Sequence, residues 1–161
     1  MNKRQQQKKY IRDLRGLWER IGFIMHLSQM IEYNLLNILA GHKYIESIEG
    51  LSIYDFVNYN NAAKESNEAL HKNNRKDLKK LLDRAIADNV FNKEMIDLLD
   101  TIKNKRNYYA HQFFKEDLFT KITETNPSYY FKKMKEDIGL FKTVNDLLVD
   151  IDKGYRLAAT Q

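Results

Sequence analysis

The residues of this chain whose types and spacing could do chemistry are concentrated between positions 101 and 115. Arg106, Asn107 and His111 lie within six residues of one another, and the segment holds four basic residues and no acidic one. On an α-helix, Asn107 and His111 would share a face, about 40° apart around the axis. A cationic segment of this kind has the electrostatics of a phosphate-binding surface.

Arg106 stands at a position where an apolar residue is expected. Four apolar residues of its predicted helix fall within about 40° of Met95 around the axis: Leu99, Ile102, Tyr109 and Phe113. Arg106 falls at about 20°, so its guanidinium points into the stripe that should face the core.

Glu32 interrupts the apolar stripe of the first predicted helix in the same way. Charged side chains are almost never fully buried unless they are paired. We therefore predict a partly buried ion pair between Glu32 and Arg106, whose role is to position Arg106, because buried pairs add little stability. The alternative is that both side chains reach water at the edge of a bundle.

Five amphipathic helices are needed to position these residues. Apolar residues recur at three- and four-residue steps over most of the chain, which is the helical period. Gly41 is predicted to end the first helix, Asn92 to cap the fourth, and Asn126 with Pro127 to begin the fifth. The predicted bounds are Lys3–Ala40, Ile53–Leu70, Arg75–Ala87, Lys93–Lys115 and Pro127–Leu157. Trp18 is assigned to the core.

Composition supports one all-α domain over residues 1–161. The chain has one Pro, six Gly and no Cys, which disfavours a many-stranded β fold and excludes disulfides, thiolate nucleophiles and Cys-based zinc sites. We expect no metal and no cofactor. The absence of a long apolar run and of a secretory signal predicts a cytoplasmic protein without a membrane partner.

The net charge of +5 is unevenly distributed along the chain. The first twenty residues hold seven basic and two acidic side chains, and residues 101–115 carry four further positive charges. The remaining residues together carry −4. Two separate basic segments therefore suggest an anionic partner, and the N-terminal one is a candidate for contact with an RNA backbone.

The stretch from Lys103 to Asp117 resembles the signature of HEPN domains. The matching residues are Arg106, the polar Asn107 that follows it, and His111 after four intervening positions. The resemblance implies an all-helical, up-and-down bundle of five helices that forms a homodimer. Many HEPN domains are metal-independent ribonucleases of toxin–antitoxin, abortive-infection or other antiviral systems, which implies RNA as substrate and an antitoxin or other defence protein as a possible partner.

The resemblance also implies a chemistry for these residues. A ribose 2′-hydroxyl would attack the adjacent phosphate, with His111 as general base or acid and Arg106 stabilising charge on the phosphoryl oxygens. Asn107 matches a frequent polar companion of this pair, and the pairs of two protomers would meet at the dimer interface. Of the nearby cations, the tentative RNA contacts are Lys103, Lys105 and Lys115.

One position departs from the family pattern. Some toxin members carry a Tyr two residues after the His, where a partner nucleotidyltransferase modifies it, and here that residue is Phe113. Two other classes of function stay open. The chain could be a catalytically inert helical interaction or dimerisation module, in which Arg106 and His111 are structural, or a helical DNA-binding regulator that uses its basic N-terminus.

Overall fold

The computed structural model describes residues 2–52, 54–73, 77–118 and 127–159, apart from the side chains at 69–73, 114, 116–118 and 127. The predicted all-α fold class is confirmed over these ranges, which contain no β-strand. They form five α-helices and one π-helix: α1 (Lys3–Ile48), α2 (Phe56–Asn73), α3 (Leu78–Ala87), α4 (Lys93–Asn107), the π-helix (Tyr108–Leu118) and α5 (Pro127–Ala158).

The first helix is longer than predicted, because Gly41 does not end it. Helix α1 continues to Ile48. A Cβ atom at Gly41 would lie 3.0 Å from the Cβ of Tyr155 on α5, which is tighter than nine in ten real Cβ contacts. Gly41 is therefore present to let the two helices approach, and its interpretation as a helix stop was wrong.

The other helices begin and end near their predicted bounds, with one exception. Asn92 caps α4 as expected, since its side chain accepts a hydrogen bond from the Met95 amide at 3.0 Å. Helix α3 is capped by Asp77, while the predicted start at Arg75 and the predicted cap Asn126 lie outside the described residues. The exception is the fourth helix, which becomes a π-helix at Tyr108.

The chain divides into two compact units that differ in charge. Residues 1–29 and 101–143 form the first, which we call the basic unit: it has 16 Lys and Arg against 7 Asp and Glu, a net charge of +9. Residues 30–100 and 144–161 form the acidic unit, with 11 against 15, a net charge of −4. The single domain expected over residues 1–161 stays a prediction.

The buried stripe predicted for the fourth helix is confirmed. Its four apolar members are almost completely buried: Leu99, Ile102, Tyr109 and Phe113. Trp18 was wrongly assigned to the core, because it is 52% exposed on α1. None of the helices among the described residues is both long enough and apolar enough to cross a membrane.

Candidate active site

The candidate site residues lie on both sides of a change in helix geometry. Arg106 and Asn107 are the last two residues of α4, and His111 is the fourth residue of the π-helix. A π-helix closes its hydrogen bonds five residues apart instead of four. Such segments are rare in proteins, and those that occur are often at functional sites. This one is also long, at 11 residues.

The π-helix changes the angle between Arg106 and His111. With α-helical steps throughout, the two residues are about 140° apart around the axis. With about 4.4 residues per turn beyond Asn107, the separation falls to about 70°. The two side chains therefore leave the backbone closer to a common direction than the sequence predicted.

Arg106 is half-buried, and Asn107 and His111 are exposed. The guanidinium of Arg106 donates a hydrogen bond from Nη1 to Oδ1 of Asn107, at 3.2 Å. The side-chain amide of Asn107 therefore restrains the guanidinium of Arg106 at the C-terminal end of α4. Glu32 is half-buried on α1, and its ion pair with Arg106 stays a prediction.

A buried carboxylate beside this segment was not anticipated from the sequence. Asp137 on α5 is 5% exposed and has two partners from the neighbouring segment. The ammonium of Lys105 donates to its Oδ1 at 2.5 Å, and the hydroxyl of Tyr109 donates to its Oδ2 at 2.5 Å. We call these three residues the Asp137 cluster.

The Asp137 cluster affects two of the residues that the sequence singled out. Burial, and then the hydrogen bond to Asp137, raise the pKa of Tyr109 far above its ordinary value, so this hydroxyl keeps its proton. The charge of Lys105 is engaged by the carboxylate, which makes this lysine a structural partner as well as a tentative RNA contact. Asp137 carries the same signal in the sequence as Arg106, because on α5 it falls about 20° around the axis from Tyr130, on an apolar stripe.

Aromatic rings hold the π-helix against the start of α5. Phe113 is fully buried and contacts the ring of Tyr130, with centroids 5.7 Å apart. The ring of Tyr108 packs against Tyr109 at 5.1 Å and carries the Lys133 ammonium 4.5 Å from its centroid. The position that some HEPN toxins use for a modified Tyr is therefore a core position here.

The two basic segments of the sequence belong to the same unit. Residues 3–20 and residues 101–115 both lie in the basic unit, and the acidic excess of the chain lies entirely in the other unit. Of the tentative RNA contacts, Lys115 is exposed and Lys103 is half-buried. A polyanion would meet a locally much higher positive charge than the +5 of the whole chain suggests.

One face of α1 presents both cations and apolar side chains to solvent. Residues at three- and four-residue steps are all exposed along it: Arg4, Lys8, Ile11, Arg15 and Trp18. Arg15 pairs with Glu19 at 3.1 Å, while the ring of Trp18 is accessible beside it. Cations next to exposed aromatic rings are the features that bind single-stranded nucleic acid.

Comparisons of this chain with protein-family models, with curated proteins and with solved structures found no match. The HEPN resemblance therefore depends on the six residues from Arg106 to His111 and on the helical fold. Among the described residues, no group of three or more His, Asp or Glu is placed to hold a metal ion.

Proposed function

We propose that this chain is a metal-independent endoribonuclease of a toxin–antitoxin or antiviral defence type, with a HEPN-like bundle fold. The observation that carries the proposal is the placement of Arg106, Asn107 and exposed His111 at an α-to-π transition, within a unit of net charge +9. The charge would attract RNA, and the transition would bring the two candidate catalytic groups onto neighbouring faces.

The reaction follows from what each group can do. His111 takes the proton from a ribose 2′-hydroxyl, and the oxygen attacks the adjacent phosphorus. Arg106 stabilises the negative charge that develops on the phosphoryl oxygens, while Asn107 holds its guanidinium. The P–O5′ bond breaks, the leaving oxygen takes a proton from water, and protonated His111 returns its proton to water. The products are a 2′,3′-cyclic phosphate and a 5′-hydroxyl.

The homodimer is part of the proposal only because the resemblance to HEPN domains implies it. With α-helical geometry, Arg106 and His111 of one chain were too far apart around the axis to form a compact site without a second chain. An angle of about 70° weakens that requirement. A second protomer would still supply a second pair of residues and extend the cationic surface, and a cytoplasmic antitoxin or other defence protein would restrain the enzyme.

The inert interaction module is the alternative that one observation favours. Lys105 and Tyr109, which flank Arg106, are both engaged by a buried carboxylate, so part of this polar segment holds the fold. In that case Arg106 and His111 would complete a structural surface and not a catalytic one.

The test compares the wild type with Arg106→Ala and His111→Ala in a buffer containing EDTA. A matched control is His26→Ala, which removes another exposed histidine of the basic unit. We expect the wild type to cut total RNA and leave 2′,3′-cyclic phosphate ends, and His111→Ala to lose at least about 100-fold in rate. The control should stay within about twofold of the wild type.

Two results would overturn the proposal or its site. If the wild type neither cuts RNA nor arrests growth, the chain is not a ribonuclease and the interaction module is favoured. If His111→Ala cuts RNA as fast as His26→Ala does, the site has been wrongly assigned. Thermal melting of each variant separates loss of catalysis from loss of fold, which matters most for Arg106→Ala.

A further inference from the structure

Asp137 is held differently from the other buried carboxylate among the described residues. Asp152 on α5 is 9% exposed, and its partner is Arg156, one turn away on the same helix, at 2.8 Å. Such a pair is local and ties α5 only to itself. Asp137 takes both of its partners from the segment that carries the candidate site, so it ties α5 to that segment.

The two partners of Asp137 bracket the point where the helix geometry changes. Lys105 lies in the last turn of α4, and Tyr109 is the second residue of the π-helix. One bonds to each oxygen of the carboxylate, at 2.5 Å in both cases. A buried carboxylate needs both partners to offset its lost hydration, which fixes the rotation of the backbone on each side of the transition.

We propose that Asp137 is a positioning residue that holds the α-to-π transition between Asn107 and Tyr108, and through it the angle between Arg106 and His111. With Lys105 fixed, a return to α-helical steps after Asn107 turns Tyr109 by about 36° and His111 by about 70°. The first movement separates the Tyr109 hydroxyl from Asp137, so the hydrogen bond opposes the second.

The positioning role rests on the proposed ribonuclease function, because it serves the same site. Whether Asp137 holds the α-to-π transition is tested separately from that function. Backbone NMR resonances of residues 105–113 report the helix geometry without any RNA. The variant is Asp137→Asn, which keeps the shape and removes the charge that Lys105 needs. The matched control is Asp152→Asn, which makes the same change at a buried carboxylate of the same helix.

We expect Asp137→Asn to change the amide resonances of 105–113 and the ring resonances of His111, and Asp152→Asn to leave both unchanged. Tyr109→Phe, which removes one hydrogen bond and leaves the carboxylate paired with Lys105, should shift the same resonances less. If Asp137→Asn does not fold, Tyr109→Phe is the variant that tests the proposal. Unchanged amide and ring resonances of His111 in the folded Asp137→Asn protein, or in Tyr109→Phe in its place, would overturn the proposal.

Cleavage kinetics test whether the transition serves the site. Misplacing catalytic groups by about 1 Å costs up to about 100-fold in rate, so Asp137→Asn should lower kcat about 10- to 100-fold with KM within about threefold. Asp137→Glu, which restores the charge, should recover part of the loss. If the resonances change and kcat does not, the positioning role is wrong although the ribonuclease stands. If the wild type cuts no RNA, the ribonuclease fails, and the resonances alone decide whether Asp137 holds the transition.

Discussion

The basic unit and the acidic unit bury polar side chains in different ways. In the basic unit the buried carboxylate, Asp137, has an ammonium and a hydroxyl of a neighbouring segment as partners. In the acidic unit the buried carboxylate, Asp152, is paired within its own helix, and α1 and α5 are joined by a neutral amide pair, in which Asn34 donates to Asn145 at 2.9 Å. Burying a charge costs far more than burying an amide, even when both are satisfied.

The difference is what we expect if the polar contacts of the acidic unit serve the fold and the Asp137 cluster serves the proposed site. A neutral pair between α1 and α5 fixes the register of two helices at low cost. A charged cluster is a poor way to gain stability, so its place next to Arg106 and His111 calls for another role. The described cation–π contacts also lie in the basic unit, as in the Arg20 guanidinium 4.5 Å from the Phe131 ring.

Breaking the buried groups one at a time gives the largest expected effects on stability. Lys105→Met leaves Asp137 with Tyr109 as its remaining partner, and should lower the free energy of unfolding by about 2–4 kcal/mol. Asn34→Leu leaves an unsatisfied but uncharged amide at Asn145, and should cost about 1–2 kcal/mol. Urea denaturation of both variants and the wild type measures the two losses.

Equal losses in the two variants would contradict the distinction between the units. Replacing both members of the neutral pair, as in Asn34→Leu with Asn145→Leu, tests the distinction between the units further. The double variant should recover part of the single variant's loss, because no polar group is then left unsatisfied.

Charge reversal in each unit gives the next effect, on RNA affinity. Arg4→Glu with Lys8→Glu, on the exposed face of α1 in the basic unit, should weaken binding of a labelled single-stranded RNA about 30-fold. The matched control, Lys80→Glu with Lys93→Glu, makes the same change in net charge at exposed positions of the acidic unit. It should leave affinity within about threefold.

Binding is best measured by fluorescence anisotropy in the His111→Ala background, so that the RNA stays intact. The slope of log affinity against log salt should fall by about 1.4 for the α1 variant. If both double variants lose affinity equally, RNA responds to the net charge of the chain and the basic unit has no special role.

Apolar spacing alone was sufficient to predict that the chain is helical, and to predict the buried stripe of the predicted fourth helix. Gly41 shows why helix ends are harder to predict: its role is set by Tyr155, 114 residues away, and no local signal reports that contact. The same limit applies to Trp18, because its 52% exposure depends on the packing of the folded chain and has no local signal in the sequence.

The members of the candidate site stay a prediction, whereas the local helix geometry around them was not predicted at all. Arg106, Asn107 and His111 were proposed from residue type and position. The π-helix was not found, since α- and π-helices bury nearly the same residues over one turn, and contacts from α5 select between them. Asp137 carried a detectable signal in the sequence, which is a charged residue on the apolar stripe of the fifth helix.

The smallest expected effect is a difference in alkaline stability between the two units. Burial raises the pKa of Tyr109 in the basic unit, as does its hydrogen bond to Asp137, and burial with the nearby Glu46 raises that of Tyr155 in the acidic unit. Each hydroxyl keeps its proton in the folded state above pH 10, where the unfolded chain loses it. The stabilisation is therefore complete below pH 10 and declines as pH rises above it.

The free energy of unfolding of the wild type minus that of Tyr109→Phe should fall by about 0.8 kcal/mol between pH 9 and 10.5. Tyr155→Phe should show the same sign with a smaller change, because Tyr155 is half-buried and its hydroxyl lies 3.1 Å from His42 Nδ1, not from a carboxylate. Lysine ionisation is common to the three proteins and largely cancels in the differences. Urea denaturation at four pH values measures both. A larger change for Tyr155→Phe than for Tyr109→Phe would contradict the expected order of the two hydroxyls.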